Sequence, residues 1–222
     1  YYGGEAEIVA WPANSTTLFY ESLDKLPAAV QELYHYSPDK AKALLKEAGY
    51  SDGFKVKLAV QNTSSRVDEM AIIKDMWSKV GVDVTLDIKE PGVYAPLVAA
   101  GTPYEEMLYR LQTSPFLMHL YQAYTRGPAI LNISHINNPP GTDPYLEGLF
   151  QEQDKELFIN MPTVYEDVKK VDRYVMEQAY VIPWPLPNQF NFWWPWLKNY
   201  YGAAGFVKYA WVDQDLRKSM GY

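Results

Sequence analysis

The sequence contains no cysteine, so disulfide bonds and thiol chemistry are excluded. Its three histidines, His35, His119 and His135, lie too far apart to show the spacing of metal ligands. It has no Gly-x-Ser-x-Gly motif of the kind that exposes a serine nucleophile. No apolar run approaches the roughly 20 residues that a transmembrane helix requires. The sequence therefore predicts no catalytic site, no metal site and no cofactor.

Positive charge is also in short supply. Twenty Lys and Arg residues stand against 27 Asp and Glu residues, which gives a net charge of -7. An acidic chain binds nucleic acid poorly, so no nucleic-acid partner is expected. The adjacent carboxylates Glu105 and Glu106, and the pair Asp213 and Asp215, are more typical of solvated faces or helix caps than of a glycosidase site.

The segment from Tyr36 to Val60 predicts a short helix that leads into a strand. Ser37 is a suitable N-cap and Pro38 suits the first helical position. Gly49 is the residue expected just past the end of a helix. The chain then turns at residues 51–53 into the alternating apolar pattern of a strand.

A β-α-β unit is predicted next, with strands at Lys55–Gln61 and Val82–Ile88 and a helix at Val67–Val80. A connection of this length that contains a helix implies parallel strands. The predicted fold class is α/β, with a mixed, largely parallel sheet and crossover helices. One core is expected to contain Val56, Leu58, Met70, Ile73, Trp77, Val84 and Leu86.

The second half of the chain predicts further elements around a long loop. Tyr104–Leu111 is expected to be an inner strand, and Arg126–Thr142 a loop rich in Gly, Pro and Asn. Two amphipathic helices follow at Tyr145–Phe158 and Thr163–Gln178. Tyr180–Leu186 is expected to be a strand interrupted by proline.

The pattern "Y-x-P-x-K-A-K-x-L-L-x-E-A-G-Y-x-D-G-F" over residues 36–54 resembles one found in family 5 of the extracellular solute-binding proteins. Residues 79–84, 137–146 and 177–184 resemble later motifs of that family in the same order, although Tyr180 stands where proline is usual. The resemblance implies one lobe of a type II periplasmic-binding-protein-like fold. It also implies a non-enzymatic component of a bacterial ABC importer, which encloses a peptide-like or other small solute and presents it to a membrane permease. Such a protein is expected in the periplasm, or lipid-anchored on the outer side of the cytoplasmic membrane.

Family members are much longer, so the chain is expected to be a C-terminal part of a larger protein. Residues 1–187 would form one α/β lobe, and the aromatic segment 188–222 would return to the absent lobe. The aromatic residues from 180 to 211 leave three alternatives open, which are core packing, a surface for a missing domain, and a ligand platform. On the second alternative, Phe192, Trp193 and Trp196 are the rings expected to lack partners within one copy. Two other functions are weighed as well, a carbohydrate-binding module with a Trp/Tyr platform and an interaction module whose aromatic tail binds a partner.

Candidate ligand-binding residues follow strand ends, because ligands of α/β sheets gather beyond the carboxyl ends of the strands. Three leave the predicted strand 104–111, three lie in the loop 126–142, and one, expected to face the ligand cleft, belongs to the predicted strand 180–186. They are Tyr109, Arg110 and Gln112, then Arg126, Asn132 and His135, and finally Trp184. The alternative for both arginines is an ordinary surface ion pair with nearby carboxylates.

Overall fold

A computed structural model describes residues 1–8, 13, 15–98, 107–108, 124–127, 132, 134–188, 190–202 and 209–222. The elements in chain order are β1 (Ala6–Glu7), α1 (Ala28–Leu33), α2 (Pro38–Glu47), β2 (Phe54–Gln61), α3 (Ser64–Ser78), β3 (Val82–Lys89), α4 (Pro91–Leu97), β4 (Met107–Leu108), α5 (Pro144–Glu156), α6 (Met161–Glu177), β5 (Leu186–Pro187), β6 (Leu197–Lys198), β7 (Trp211–Val212) and α7 (Gln214–Ser219). A 3₁₀ turn at Leu23–Lys25 precedes α1. Within the described ranges no helix is both long and apolar enough to cross a membrane.

The chain divides into two compact units. The first contains Tyr1 and Ile8–Pro185, and the second contains Tyr2–Glu7 and Leu186–Tyr222. The first unit holds the parallel sheet and the longer helices, whereas the second is built from short antiparallel strands and a short helix.

The sheet of the first unit has the strand order β3-β2-β4, and both pairings are parallel. β2 and β3 are in register over their whole length, from Phe54 opposite Val82 to Gln61 opposite Lys89. α3 connects the two strands, which confirms the predicted β-α-β unit.

All seven residues predicted to share a core belong to one cluster, here called the sheet core. Val56, Leu58, Met70 and Val84 are buried, and Ile73, Trp77 and Leu86 are partly buried against them. The alternation of β2 places its apolar side chains on the face that α3 covers, which explains why period-2 spacing predicted the core.

The two strands begin where two glycines meet. Gly53 and Gly81 both have positive φ, at 76° and 92°, and the amide of Phe54 donates to the carbonyl oxygen of Gly81 at 3.1 Å. A Cβ on Gly53 would lie 2.0 Å from that oxygen. Only glycine at position 53 therefore allows the backbones to approach this closely.

The helical core of the first unit is formed by α5 and α6. Its buried residues include Leu146, Phe150, Val164, Val168, Val171 and Val175, and Ala13 and Phe19 pack onto it from the start of the chain. Asp143 caps α5 by accepting a hydrogen bond from the amide of Leu146 at 3.0 Å. The motif at residues 137–146 thus supplies both the cap of α5 and its first buried leucine.

α6 also buries an acid without full hydrogen bonding. Asp172 is 3% exposed, and its Oδ1 has no hydrogen-bond partner in the described structure. Burial, and secondarily the negative charge of Glu21, raise the pKa of Asp172 well above its usual value. Glu21 itself binds the guanidinium of Arg173 through Nε and Nη2.

The predicted strand at Tyr180–Leu186 is wrong for most of its length. Only Leu186 and Pro187 form a strand, and they pair antiparallel with Glu7 and Ala6. Pro183 and Pro185 have no backbone N–H to donate to a ladder, so residues 180–185 continue as irregular chain.

The second unit has an aromatic cluster. Trp194 and Trp196 stack with ring centroids 4.6 Å apart, and Tyr222 lies 4.8 Å from Trp196. Trp196 is only 7% exposed, so the expectation that it lacks partners within one copy is wrong. Phe192 and Trp193 remain 91% and 43% exposed.

Gly53→Ala and Gly49→Ala are a matched pair, since both positions have positive φ but Gly49 faces open space. Gly49→Ala should lower the free energy of unfolding by about 1–2 kcal/mol, the cost of a left-handed alanine. Gly53→Ala should cost about 1–3 kcal/mol more, because its Cβ overlaps the Gly81 carbonyl. Urea denaturation followed by circular dichroism measures both changes. Equal losses would show that the close approach has no energetic importance.

Asp172→Asn removes an acid whose pKa is raised in the folded state by burial and by the charge of Glu21. Above about pH 4 the unfolded chain releases this proton while the folded chain retains it, so stability falls as the pH rises toward the folded-state pKa. The wild type should lose up to about 1.4 kcal/mol per pH unit from this group in that window, and the variant should not. Denaturation at several pH values between about 4.5 and 8 tests this expectation. A stability difference that does not change with pH would contradict it.

Candidate functional site

The carboxyl ends of the three parallel strands meet at one edge of the sheet. β2 ends at Gln61, β3 at Lys89 and β4 at Leu108. Polar residues follow the first two strands at once, and α3 begins at Ser64, directly after Asn62 and Thr63. We call Gln61, Asn62, Thr63, Arg66, Lys89 and Glu90 the strand-end site.

Hydrogen bonds join the ends of β2 and β3. The backbone amide of Asn62 donates to the carbonyl of Lys89 at 2.7 Å, and its side-chain Nδ2 donates to Oε1 of Glu90 at 2.6 Å. Lys89 in turn lies 2.7 Å from Oδ2 of Asp87. These contacts connect the end of β2 to the residues that follow β3.

Arg66 lies in the first turn of α3 and is half-buried. Its Nη1 donates to Oε1 of Gln61, and no described carboxylate forms an ion pair with it. Thr63 is the N-cap residue of α3, yet its side chain makes no capping hydrogen bond, and its buried Oγ1 has no partner among the described residues. A guanidinium beside the positive end of a 15-residue helix suits a carboxylate.

Sequence reasoning missed Gln61, Asn62, Arg66 and Glu90. The rule that ligands gather at strand ends was applied only to the strand that contains β4. The same rule applied to β2 and β3 would have pointed to this region, because both strands have a strong alternating pattern and the polar residues follow where that pattern ends.

Three predicted site residues, Tyr109, Arg110 and Gln112, lie outside the described residues. The described end of β4 leads toward them, and there Met107 and Leu108 run parallel to Leu58 and Ala59 of β2. Trp184 is half-buried and packs against the sheet core, in the same cluster as Met107.

Arg126 is held by two carboxylates. Nη2 lies 2.7 Å from Oε1 of Glu147, Nη1 lies 2.7 Å from Oδ2 of Asp154, and the guanidinium covers the ring of Phe150 at 5.4 Å. Burial acts to lower the pKa of Arg126, but these hydrogen bonds outweigh it and the pKa is raised. This geometry agrees with the surface ion pair that the sequence left as the alternative.

Asn132 and His135 stabilise the loop in which they lie. Asn132 is fully buried and donates through Nδ2 to the carbonyls of Gly127 at 2.8 Å and Ile136 at 2.7 Å. Nδ1 of His135 lies 3.3 Å from Nδ2 of Asn138. The described contacts of these two side chains are thus with their own loop.

Asn137 joins this loop to the start of α5. Its Nδ2 donates to Glu147 at 2.9 Å, and its Oδ1 accepts from the amide of Gly141 at 2.8 Å. Burial acts to raise the pKa of Glu147, but hydrogen bonds from Arg126 and Asn137 leave it below its usual value. Glu147 is therefore an ionised centre that connects Arg126, the loop and α5.

Comparison with known proteins identifies a family and several relatives. Residues 1–156 match the family described as "Bacterial extracellular solute-binding proteins, family 5 Middle". The dipeptide-binding protein of Escherichia coli K12 is 44% identical over 68 residues, which cover 28% of this chain and 12% of that protein.

Solved structures share the fold. The periplasmic binding protein DppA of Helicobacter pylori, in complex with the peptide STSA, has a TM-score of 0.65 and 21% identity over 83% of this chain and 34% of its own. The oligopeptide-binding protein AppA of Bacillus subtilis, in complex with a nonapeptide, has a TM-score of 0.63 and 16% identity over 83% of this chain and 37% of its own. The chain thus spans about a third of the length of these relatives.

These structures are type II periplasmic binding proteins, and the parallel sheet with its helices confirms the predicted fold class. The family match covers 156 of 222 residues, well over half of the chain. The chain belongs to family 5 of the bacterial extracellular solute-binding proteins.

Proposed function

We propose that this chain is part of the substrate-binding component of a bacterial ABC importer for peptide-like solutes. The observation that carries the proposal is the strand-end site, where Arg66 has no carboxylate partner among the described residues. The names of relatives support the solute class, since one is a dipeptide-binding protein and two structures hold peptides. A partner permease and an extracytoplasmic location, either periplasmic or lipid-anchored, are part of the same proposal.

Residues 1–187 are proposed as one α/β lobe, and residues 188–222 as an aromatic segment that returns to the absent lobe. The short span relative to the relatives supports this division. So do the exposed aromatic rings after residue 188, which include Phe190, Phe192, Trp211 and Tyr209 at 52–91% exposure. Apolar surface of this extent is uncommon on a complete monomer.

Solute recognition is proposed at the strand ends, with Arg66 binding a carboxylate. Arginine has the planar fork that a carboxylate fits, and Arg66 keeps most of its donors available. Tyr109, Arg110, Gln112 and Trp184 are proposed to extend this site. Arg126, Asn132 and His135 remain candidates, although their described contacts are with the loop and α5.

We propose that the chain has no catalytic turnover. The described residues contain no group of three or more His, Cys, Asp or Glu that could hold a metal. A receptor needs enclosure of its solute rather than a reactive group, and a lobe alone forms one wall of such an enclosure. Affinity for peptides should accordingly be no tighter than the high micromolar range.

NMR titration of the labelled chain tests the strand-end site. The peptide Ser-Thr-Ser-Ala as the free acid should shift the amide signals of residues 61–66, and its C-terminal amide should shift them less. Arg66→Gln should weaken the response to the free acid about tenfold, since a hydrogen bond between charged groups contributes about 1.5–3 kcal/mol. Lys79→Gln is the control, because Lys79 is the C-cap residue at the other end of α3 and is exposed and paired with Asp75.

Equal shifts with the acid and the amide would exclude carboxylate binding by Arg66. Shifts confined to residues outside the strand ends would place the solute elsewhere. Calorimetry that gives a nanomolar affinity would contradict the proposal that the chain is one wall of a larger pocket. Oligosaccharides serve as a negative control.

Static light scattering tests the aromatic segment. The exposed aromatic rings of this segment should make the chain associate as its concentration rises, because burial of each large side chain is worth about 1.5–3 kcal/mol. Replacement of Phe192 and Trp193 by serine should reduce association. The same change at Phe158 and Ile159, which are 75% and 81% exposed in the first unit, should not. A chain that stays monomeric at all concentrations would contradict the proposed division.

A further inference from the structure

The chain leaves α6 through an unusual turn. Ala179 has a φ of 51°, and the amide of Tyr180 donates to the carbonyl of Val175 at 3.4 Å. A left-handed residue just past a helix is ordinarily glycine. Tyr180 follows. It stands at the position where the motif that residues 177–184 resemble usually has proline. A proline here would have neither the amide hydrogen bond nor a hydroxyl.

The hydroxyl of Tyr180 donates to Oδ2 of Asp143 at 3.1 Å, and the hydroxyl of Tyr174 donates to the same oxygen at 2.8 Å. The other carboxylate oxygen caps α5 through the amide of Leu146. Burial acts to raise the pKa of Asp143, but these hydrogen bonds outweigh it and lower the pKa. The carboxylate is therefore ionised at neutral pH, and each bond to it is charge-assisted.

Residues 180–185, here called the exit strap, connect the helical core with the sheet core of the first unit. Val181 packs against the helical core, and Trp184 packs against the sheet core. Pro183 and Pro185 lack N–H groups, so few backbone hydrogen bonds can hold the strap. After Pro185 the chain enters β5 and the second unit.

We propose that the Tyr180 hydroxyl is a latch that fixes the exit strap to the start of α5. The strap is then a conformational device whose freedom is limited by the hydrogen bond from Tyr180 to Asp143. Tyr180 is a positioning residue, since it acts through Asp143 and through the strap. The latch requires no solute, and only its use during lobe closure rests on the proposed function.

Two matched variants test the latch. Tyr180→Phe and Tyr174→Phe each remove one hydroxyl from Oδ2 of Asp143 and keep the ring, but only Tyr180 belongs to the strap. Hydrogen exchange at the amides of Ala179 and Tyr180, which donate to the carbonyls of Met176 and Val175 at the start of the strap, should become about threefold to tenfold faster in Tyr180→Phe, given the worth of one hydrogen bond. Tyr174→Phe should leave these amides at the wild-type rate. In both variants the amide of Leu146 should stay protected by its cap.

Unchanged exchange of the strap in Tyr180→Phe would overturn the proposal, as would equal acceleration in both variants. Acceleration spread over all of α6 would also overturn it, because Tyr180 would then be an ordinary stabilising residue. The titration with Ser-Thr-Ser-Ala separates this result from the proposed function. If the wild type does not respond to the peptide but the strap loosens only in Tyr180→Phe, the proposed function fails and the latch stands.

Discussion

The parallel pairing of β2 with β3 positions most of the first unit. Because all eight residues of β2 have a partner in β3, the last residues of both strands, Gln61 and Lys89, lie side by side. The pairing depends on the contact of Gly53 with Gly81 at the other end, where no side chain intervenes. The polar residues of the strand-end site are thus brought together by the glycine contact at the opposite end of the strands. That contact lies about eight residues away, and each residue of a strand adds roughly 3.3 Å.

The helical half of the unit depends more on buried polar contacts. Asn132, Asn137, Glu147 and Arg126 hold the loop that precedes α5, and Asp143 joins that loop to α6 through Tyr174. Satisfied networks of this kind give a segment rich in Gly, Pro and Asn a single conformation. Side chains that the sequence suggests as ligand-binding groups can therefore form hydrogen bonds and ion pairs that stabilise the fold.

Periodicity predicted the sheet and its core, because alternation along β2 and β3 depends only on which face is covered. Residues typical of helix ends predicted α2 to within a few residues, since capping is local, and the amphipathic pattern predicted α5. The strand at 180–186 was wrong because a strand needs a partner, and no local pattern says that only residues 186 and 187 have one. Trp196 was misjudged for the same reason, as Tyr222 covers it from the end of the chain. At the site, the strand-end rule applied to β2 would have pointed to the region of Arg66, but only the structure shows that no described carboxylate pairs with it.

β3 pairs only with β2 in the described part of the sheet, so its outer edge could accept a strand from another copy. Asp83, Asp87 and Lys89 alternate along it with apolar residues, and two of them form an ion pair. Charged side chains on an edge strand oppose pairing between molecules, because an added strand would have to desolvate them. The edge of this sheet therefore resists fibrous aggregation through its own sequence.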